Sequence, residues 1–162
     1  MSEQHALFLD FDGTLADHGI VPKAHVDALK RVREAGHLAF LCTGRPHSLI
    51  PHDVEAALDG VIGSAGAYVK IGDTILEDAR FPDELAERTL RVLEEAGTFP
   101  FVLESPEATV GNSNAERYIR ERLTRSLQKP GKLPAKEKGT LGGGASELLD
   151  AFVLREDLAG IS

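Results

Sequence analysis

Three short, almost continuous apolar runs constrain this chain more than any other feature: residues 6–11 (ALFLDF), 37–43 (HLAFLCT) and 61–64 (VIGS). Such runs are expected of strands buried on both faces of a parallel sheet, where neither side of the pleat meets water. Between the first two, Pro22 opens a segment with Val26, Leu29, Val32 and Ala35 at helical spacing, and Gly36 stands where a helix end favours glycine. Between the second and third, Pro46 suits the first turn of another helix, predicted to run through Leu58. Strand, helix, strand, helix, strand predicts an α/β fold, a right-handed doubly wound parallel sheet.

Beyond Gly66 the pattern changes. Residues 67–78 (AYVKIGDTILED) read as a hairpin turning at Gly72 and Asp73. A helix is predicted from Asp83 to Ala96, apolar at Leu85, Leu90 and Leu93 and ended by Gly97. A strand around Phe101 and a polar-rich helix over 115–127 follow, then a Gly- and Pro-rich stretch over 128–144 that reads as a mobile loop or linker. The last elements read as a short helix near Leu148 and an apolar segment, AFVL, over 151–154. There is no internal repeat, and 162 residues hold one domain, or one with a modest insert.

Charge and composition exclude several classes of function. With 26 acidic against 18 basic residues the net charge is −8, which repels a phosphate backbone; 6% aromatic content without Trp gives little for bases to stack on. No run of 18 apolar residues occurs, and the N-terminus MSEQHALFLD lacks the basic-then-apolar pattern of a secretion signal. The single Cys42 cannot form an internal disulfide, which fits a reducing compartment. The expectation is a cytoplasmic protein that engages neither nucleic acid nor membrane.

The chemistry is concentrated in LFLDFDGT, residues 7–14. Asp10 and Asp12, two apart on an extended chain, project to one side, and they sit where a strand runs out, the end at which open α/β sheets bind ligands. Gly13 then lets the backbone turn sharply. By average residue usage, Asp-x-Asp-Gly-Thr arises by chance in a chain of this length on the order of one time in a thousand. A calcium loop is excluded, because the twelfth position counted from Asp10 is Val21 rather than a carboxylate. The second feature is FLCTGR, residues 40–45, which places a hydroxyl (Thr43) and Gly44 at the end of the neighbouring strand, ahead of a helix N-terminus whose amides form an anion site. Arg45 stands beside that pocket, able to bind substrate or to cap a loop. His47 and His52 are five apart, off the spacing of a helical metal pair. Cys42 reads as a small core residue.

With LFLDFDGT, FLCTGR about thirty positions on, and VIGSAGAYV after it, the chain resembles the haloacid dehalogenase-like phosphatases, in particular the Cof-like, type IIB branch with an α/β cap inserted after the third strand. The resemblance implies that Asp10 is the nucleophile and Asp12 the general acid and then base. It implies Mg²⁺ bound by Asp10 and the backbone carbonyl of Asp12. Gly13, Thr43, Gly44 and Arg45 then line the substrate phosphate, and Ala65 stands where that branch has Asn. Residues 1–80 would be the N-terminal part of the core and 81–162 a partial cap. The implied activity is hydrolysis of a small phosphorylated metabolite, a sugar phosphate foremost.

Two family elements are not found: a Lys that grips the phosphate and a second acidic metal motif. Gly72-Asp73 with Asp78 matches the latter literally but reads as a hairpin turn, and Lys136 and Lys138 read as a solvated basic loop. The C-terminal part of the core is therefore expected to be missing, which leaves the first strand as an exposed apolar edge unless another segment or a second copy covers it. The alternative is a non-catalytic or partner-dependent remnant that binds phosphate and Mg²⁺ without turnover.

Overall fold

The computed structural model describes residues 3–97, 99–127, 138–142 and 150–154. Its first sheet has five strands in the order β1 (Ala6–Leu9), β2 (Leu38–Cys42), β3 (Gly60–Gly63), β4 (Tyr68–Ile71) and β5 (Thr74–Asp78). The first three are parallel, in register Phe8–Phe40 and Leu41–Val61, and the last two form the antiparallel hairpin, with Gly72 at φ 53° in its turn. The α/β core read from the sequence is thus present, with the described strands all to one side of β1.

Helix α1 (Lys23–Glu34) joins β1 to β2, and its apolar stripe buries Val26 and Leu29. Gly36, at φ 84°, ends it with its amide bonded to Arg33 O. These residues meet Phe11, Leu15, Val21, Leu41, Val54, Leu58 and Val61 in one buried cluster, so the core lies directly beneath the 10–16 loop.

Two expectations fail for physical reasons. The helix predicted from Pro46 through Leu58 is split into a single 3-10 turn (His47–Leu49) and α2 (His52–Glu55). Pro51 lacks an amide and forces the preceding Ile50 out of the helical region, to φ −92° and ψ 121°. The strand of residues 6–11 is also not buried on both faces. Phe8 is 60% exposed and lies stacked on Phe40 at 5.2 Å, because β1 is the edge strand among the described residues. Burial of a strand's second face depends on neighbours that its own residues do not encode.

The second sheet holds β6 (Val102–Glu104), β7 (Thr109–Gly111) and β8 (Phe152–Leu154), with β8, the AFVL segment, parallel to β7. Helix α3 (Asp83–Ala96) carries Asp83 and Glu84 in its first turn, where the helix dipole favours them, and stops at Gly97 (φ 64°). Helix α4 (Ser113–Leu127) begins two residues before the predicted start, because buried Asn112 caps it by accepting from Ala115 N at 2.9 Å. The β6–β7 turn is closed by Ser105, whose Oγ accepts from the amides of Glu107 and Ala108. Most of the 128–144 stretch and Leu148 lie outside the described residues. Residues 138–142 lie against the first sheet's elements: Leu141 exchanges two backbone hydrogen bonds with Val21, and Asp53 accepts from Gly142 N at 3.0 Å.

Candidate active site

Asp10 follows β1 directly and lies exposed, opposite Cys42 at the end of β2, and the carboxylate makes no hydrogen bond or ion pair among the described residues. Burial first, and then the negative charge of Asp10, pushes the Cys42 thiol up. Phe11 turns inward and is 1% exposed, whereas Asp10 and Asp12 on either side of it are exposed. The loop is then pulled tight: Leu15 N donates to Asp10 O, Ala16 N to Phe11 O, and Gly13, at φ 84°, donates to Ala16 O at 2.9 Å.

Thr43, Gly44 and Arg45 leave β2 beside this loop. Thr43 is buried; its N donates to Ile62 O, and its Oγ1 accepts from Arg45 N at 3.1 Å. Gly44 is open, with nothing within 4 Å of the position a Cβ would take. The amides expected at a helix N-terminus instead precede only the 3-10 turn, whose dipole is that of one turn.

Arg45, open from the sequence to binding substrate or capping a loop, makes a contact that no local pattern announces. Its guanidinium grips both oxygens of Asp12, Nε to Oδ2 at 2.8 Å and Nη2 to Oδ1 at 2.7 Å, and lies 4.6 Å from the centre of the Phe11 ring. A bidentate pair backed by an aromatic face fixes orientation more than a surface ion pair does. Nη1 also donates to Leu49 O at 3.3 Å.

The end of β3 forms the third side. Ser64, Ala65 and Gly66 all have positive φ (48°, 54° and 102°), with Ser64 N donating to Arg45 O and Ala65 N to Thr43 O. Alanine in this left-handed region costs on the order of 1 kcal/mol, whereas Asn tolerates it. Ala65→Asn is therefore expected to raise the thermal midpoint by about 2–4 °C, seen in a circular-dichroism melt.

A polar group that sequence reasoning missed sits behind the 3-10 turn. His47 Nε2 meets Glu55 Oε2 at 3.1 Å, its Nδ1 meets Pro106 O at 3.1 Å, and its ring lies 4.7 Å from that of buried Tyr68. Lys70 Nζ donates to Glu55 Oε1 at 2.6 Å. His47 is thus committed to protein partners, and it makes no pair with His52. Burial pushes the Glu55 carboxyl up, but the hydrogen bonds from Lys70 and His47 outweigh it and hold the group below the ordinary glutamate range. A carboxyl lowered in the folded state stabilises above its unfolded value and loses that contribution as pH falls through the folded one. Stability should therefore fall as the pH drops below about 4.5, the ordinary value, and Glu55→Gln should flatten that acid limb in urea titrations. The partners are far apart in sequence, and no local signal links them.

The oxygen donors at the β1 end are of the type Mg²⁺ takes, and Asp10 is open to it. Among the described residues no group of three or more His, Cys, Asp or Glu converges on one point. The Gly72-Asp73 match is the hairpin turn, with Asp78 paired to Arg80.

The sequence profile of haloacid dehalogenase-like hydrolases matches residues 7–143. The chain belongs to this family. This HAD-like hydrolase is similar to a phosphatase of the haloalkanoate (HAD) superfamily from Bacteroides thetaiotaomicron, 28% identical over 81% of this chain and 48% of that one, with a TM-score of 0.57. Its fold is also that of a HAD subclass IIB sugar phosphatase (21% identity, 91% of this chain, 55% of that one, TM-score 0.58). A haloacid dehalogenase-like hydrolase from B. subtilis shares it as well (18% identity, 94% and 54%, TM-score 0.62). The HAD-like hydrolase chain spans about half the length of these structures. No curated protein sequence matches it. Among the described residues no helix is long and apolar enough to cross a membrane.

Proposed function

We propose that this HAD-like hydrolase is a Mg²⁺-dependent phosphatase of small phosphomonoesters, sugar phosphates foremost. The observation that carries the reading is the placement of an unpaired Asp10 beside Thr43 and open Gly44, at the carboxyl ends of adjacent parallel strands. A carboxylate oxygen of Asp10 attacks phosphorus and the bond to the leaving oxygen breaks, giving an aspartyl-phosphate. Asp12 donates the proton to the leaving alkoxide. Its carboxylate then takes a proton from the water that attacks the phosphoryl group, releasing phosphate and restoring Asp10. Thr43 Oγ1, the Gly44 amide and the Gly13 backbone hold phosphate oxygens. Mg²⁺, held by the Asp10 carboxylate and the Asp12 carbonyl, would supply charge neutralisation between anionic nucleophile and anionic substrate. Arg45 holds Asp12 by both oxygens and orients its carboxyl beside this site.

The division proposed with this is a core of residues 1–80 and a partial cap of 81–162, with 138–142 packed back on the core. The substrate is a small phosphorylated metabolite, and the single free Cys42 suits the cytoplasm. A second reading, a remnant that binds phosphate and metal without turnover, is favoured by a β1 edge uncovered among the described residues and by the absence of a third acidic ligand among them. That edge is open to a further strand, from a segment outside the described residues or from a second copy. Phosphate release from a sugar-phosphate panel, with Mg²⁺ and with EDTA, decides between the two: metal-dependent turnover supports the phosphatase, and none from a folded chain supports the remnant.

A further inference from the structure

The 3-10 turn His47–Leu49 touches both halves of the molecule. On one side it seats the tip of the β6–β7 hairpin: His47 Nδ1 meets Pro106 O at 3.1 Å, and Ser48 Oγ meets Thr109 Oγ1 at 2.9 Å. On the other side Leu49 O accepts from Arg45 Nη1, and Arg45 holds both oxygens of Asp12. The turn is itself anchored, since His47 also meets Glu55, which Lys70 grips, and Arg45 O accepts from Ser64 N. Hydrogen bonds thus join the hairpin to His47 and Ser48, and Leu49 to Arg45 and the carboxylate of Asp12, with the backbone of the one turn between them.

We propose that His47 and Ser48 are positioning residues, which couple docking of the β6–β7 hairpin to the orientation of Asp12 through Leu49 and Arg45. The inference rests on the phosphatase reading for its purpose, because Asp12 must be aimed at the leaving oxygen only if there is one. Its physical content does not need turnover. When the hairpin is seated, the turn presents the Leu49 carbonyl to Arg45 and the Asp12 pair is braced. With the hairpin unseated, the turn loses its outer partners and the guanidinium loses a fixed acceptor. Coupling of this kind is reciprocal: what loosens Asp12 must loosen the hairpin by the same factor.

Reciprocity supplies the test, read by hydrogen exchange of the 162-residue chain without substrate. Two segments are followed: the hairpin, 102–111, and the Asp12 loop, 13–17, whose amides are tied to Asp10, Phe11, Ala16 and Ile20. His47→Phe keeps an aromatic ring against Tyr68 and deletes both polar contacts; Ser48→Ala removes one hydroxyl. Each is expected to speed exchange about fivefold in both segments, the worth of one hydrogen bond, while β2 and β3 stay unchanged. Arg45→Gln is expected to speed exchange in the hairpin as well as in its own loop, and the double variant with His47→Phe to add less than the sum. If the hairpin loosens and the 13–17 loop does not, or if Arg45→Gln leaves the hairpin untouched, the coupling is overturned. Should His47→Phe raise exchange everywhere, Ser48→Ala decides by the same criteria. A chain with no phosphatase activity but coupled exchange would overturn the catalytic reading alone.

Discussion

Asp10→Asn is expected to lower metal-dependent phosphate release by at least about a thousandfold, since an amide cannot form the acyl-phosphate through which the proposed reaction passes. The same substitution should leave the thermal midpoint within about 2 °C, the range of a surface change that breaks no partner contact. Asp10 is exposed and its carboxylate has no partner among the described residues, so nothing in the fold rests on it. Asp12→Asn differs in a useful way, because it also deprives the Arg45 guanidinium of its partner. If Asp10→Asn retained the activity, the nucleophile would lie elsewhere and the proposed mechanism would fall.

Gly60→Ala is the substitution expected to damage the fold most. A Cβ there would stand 2.5 Å from Lys70 O and 2.9 Å from a ring carbon of Phe40. The first is backbone of the next strand and the second a buried side chain stacked on Phe8, so neither can retreat cheaply. Overpacking costs about 1–3 kcal/mol, more where backbone must move, and a domain of this kind has only about 5–15 kcal/mol in total. A fall in the thermal midpoint of at least about 6 °C is expected at 3 kcal/mol. Gly44→Ala is the control: its Cβ would meet nothing within 4 Å, and its midpoint should hardly move.

Punctuation residues made much of this fold legible. Pro22 and Gly36 bracket α1, Gly72 marks the hairpin turn, and Gly97 ends α3, because each sets a backbone angle that depends on little else. Pro51 carried the same kind of information, and its effect on Ile50 breaks the second predicted helix. The likeness of LFLDFDGT and FLCTGR to one family was legible as well, because both motifs are local in sequence. What was not legible is long-range. The Asp12–Arg45 pair spans 33 positions, and the Ser48–Thr109 contact spans 61, with no periodicity to announce either. The exposure of β1 belongs to the same class, since it is decided by what lies beside the strand.

The outer rim of β1 has a consequence for handling the protein. Its amides and carbonyls on that side have no ladder among the described residues, and Phe8 adds an apolar stripe to them. Such a rim is a template on which a foreign strand can add by backbone pairing alone, without any complementary side chains. The far edge of the same sheet, β5, is exposed as well, with Ile75 and Leu76, and the net charge of −8 opposes contact between such rims. Added salt screens that repulsion and leaves the rims free to meet.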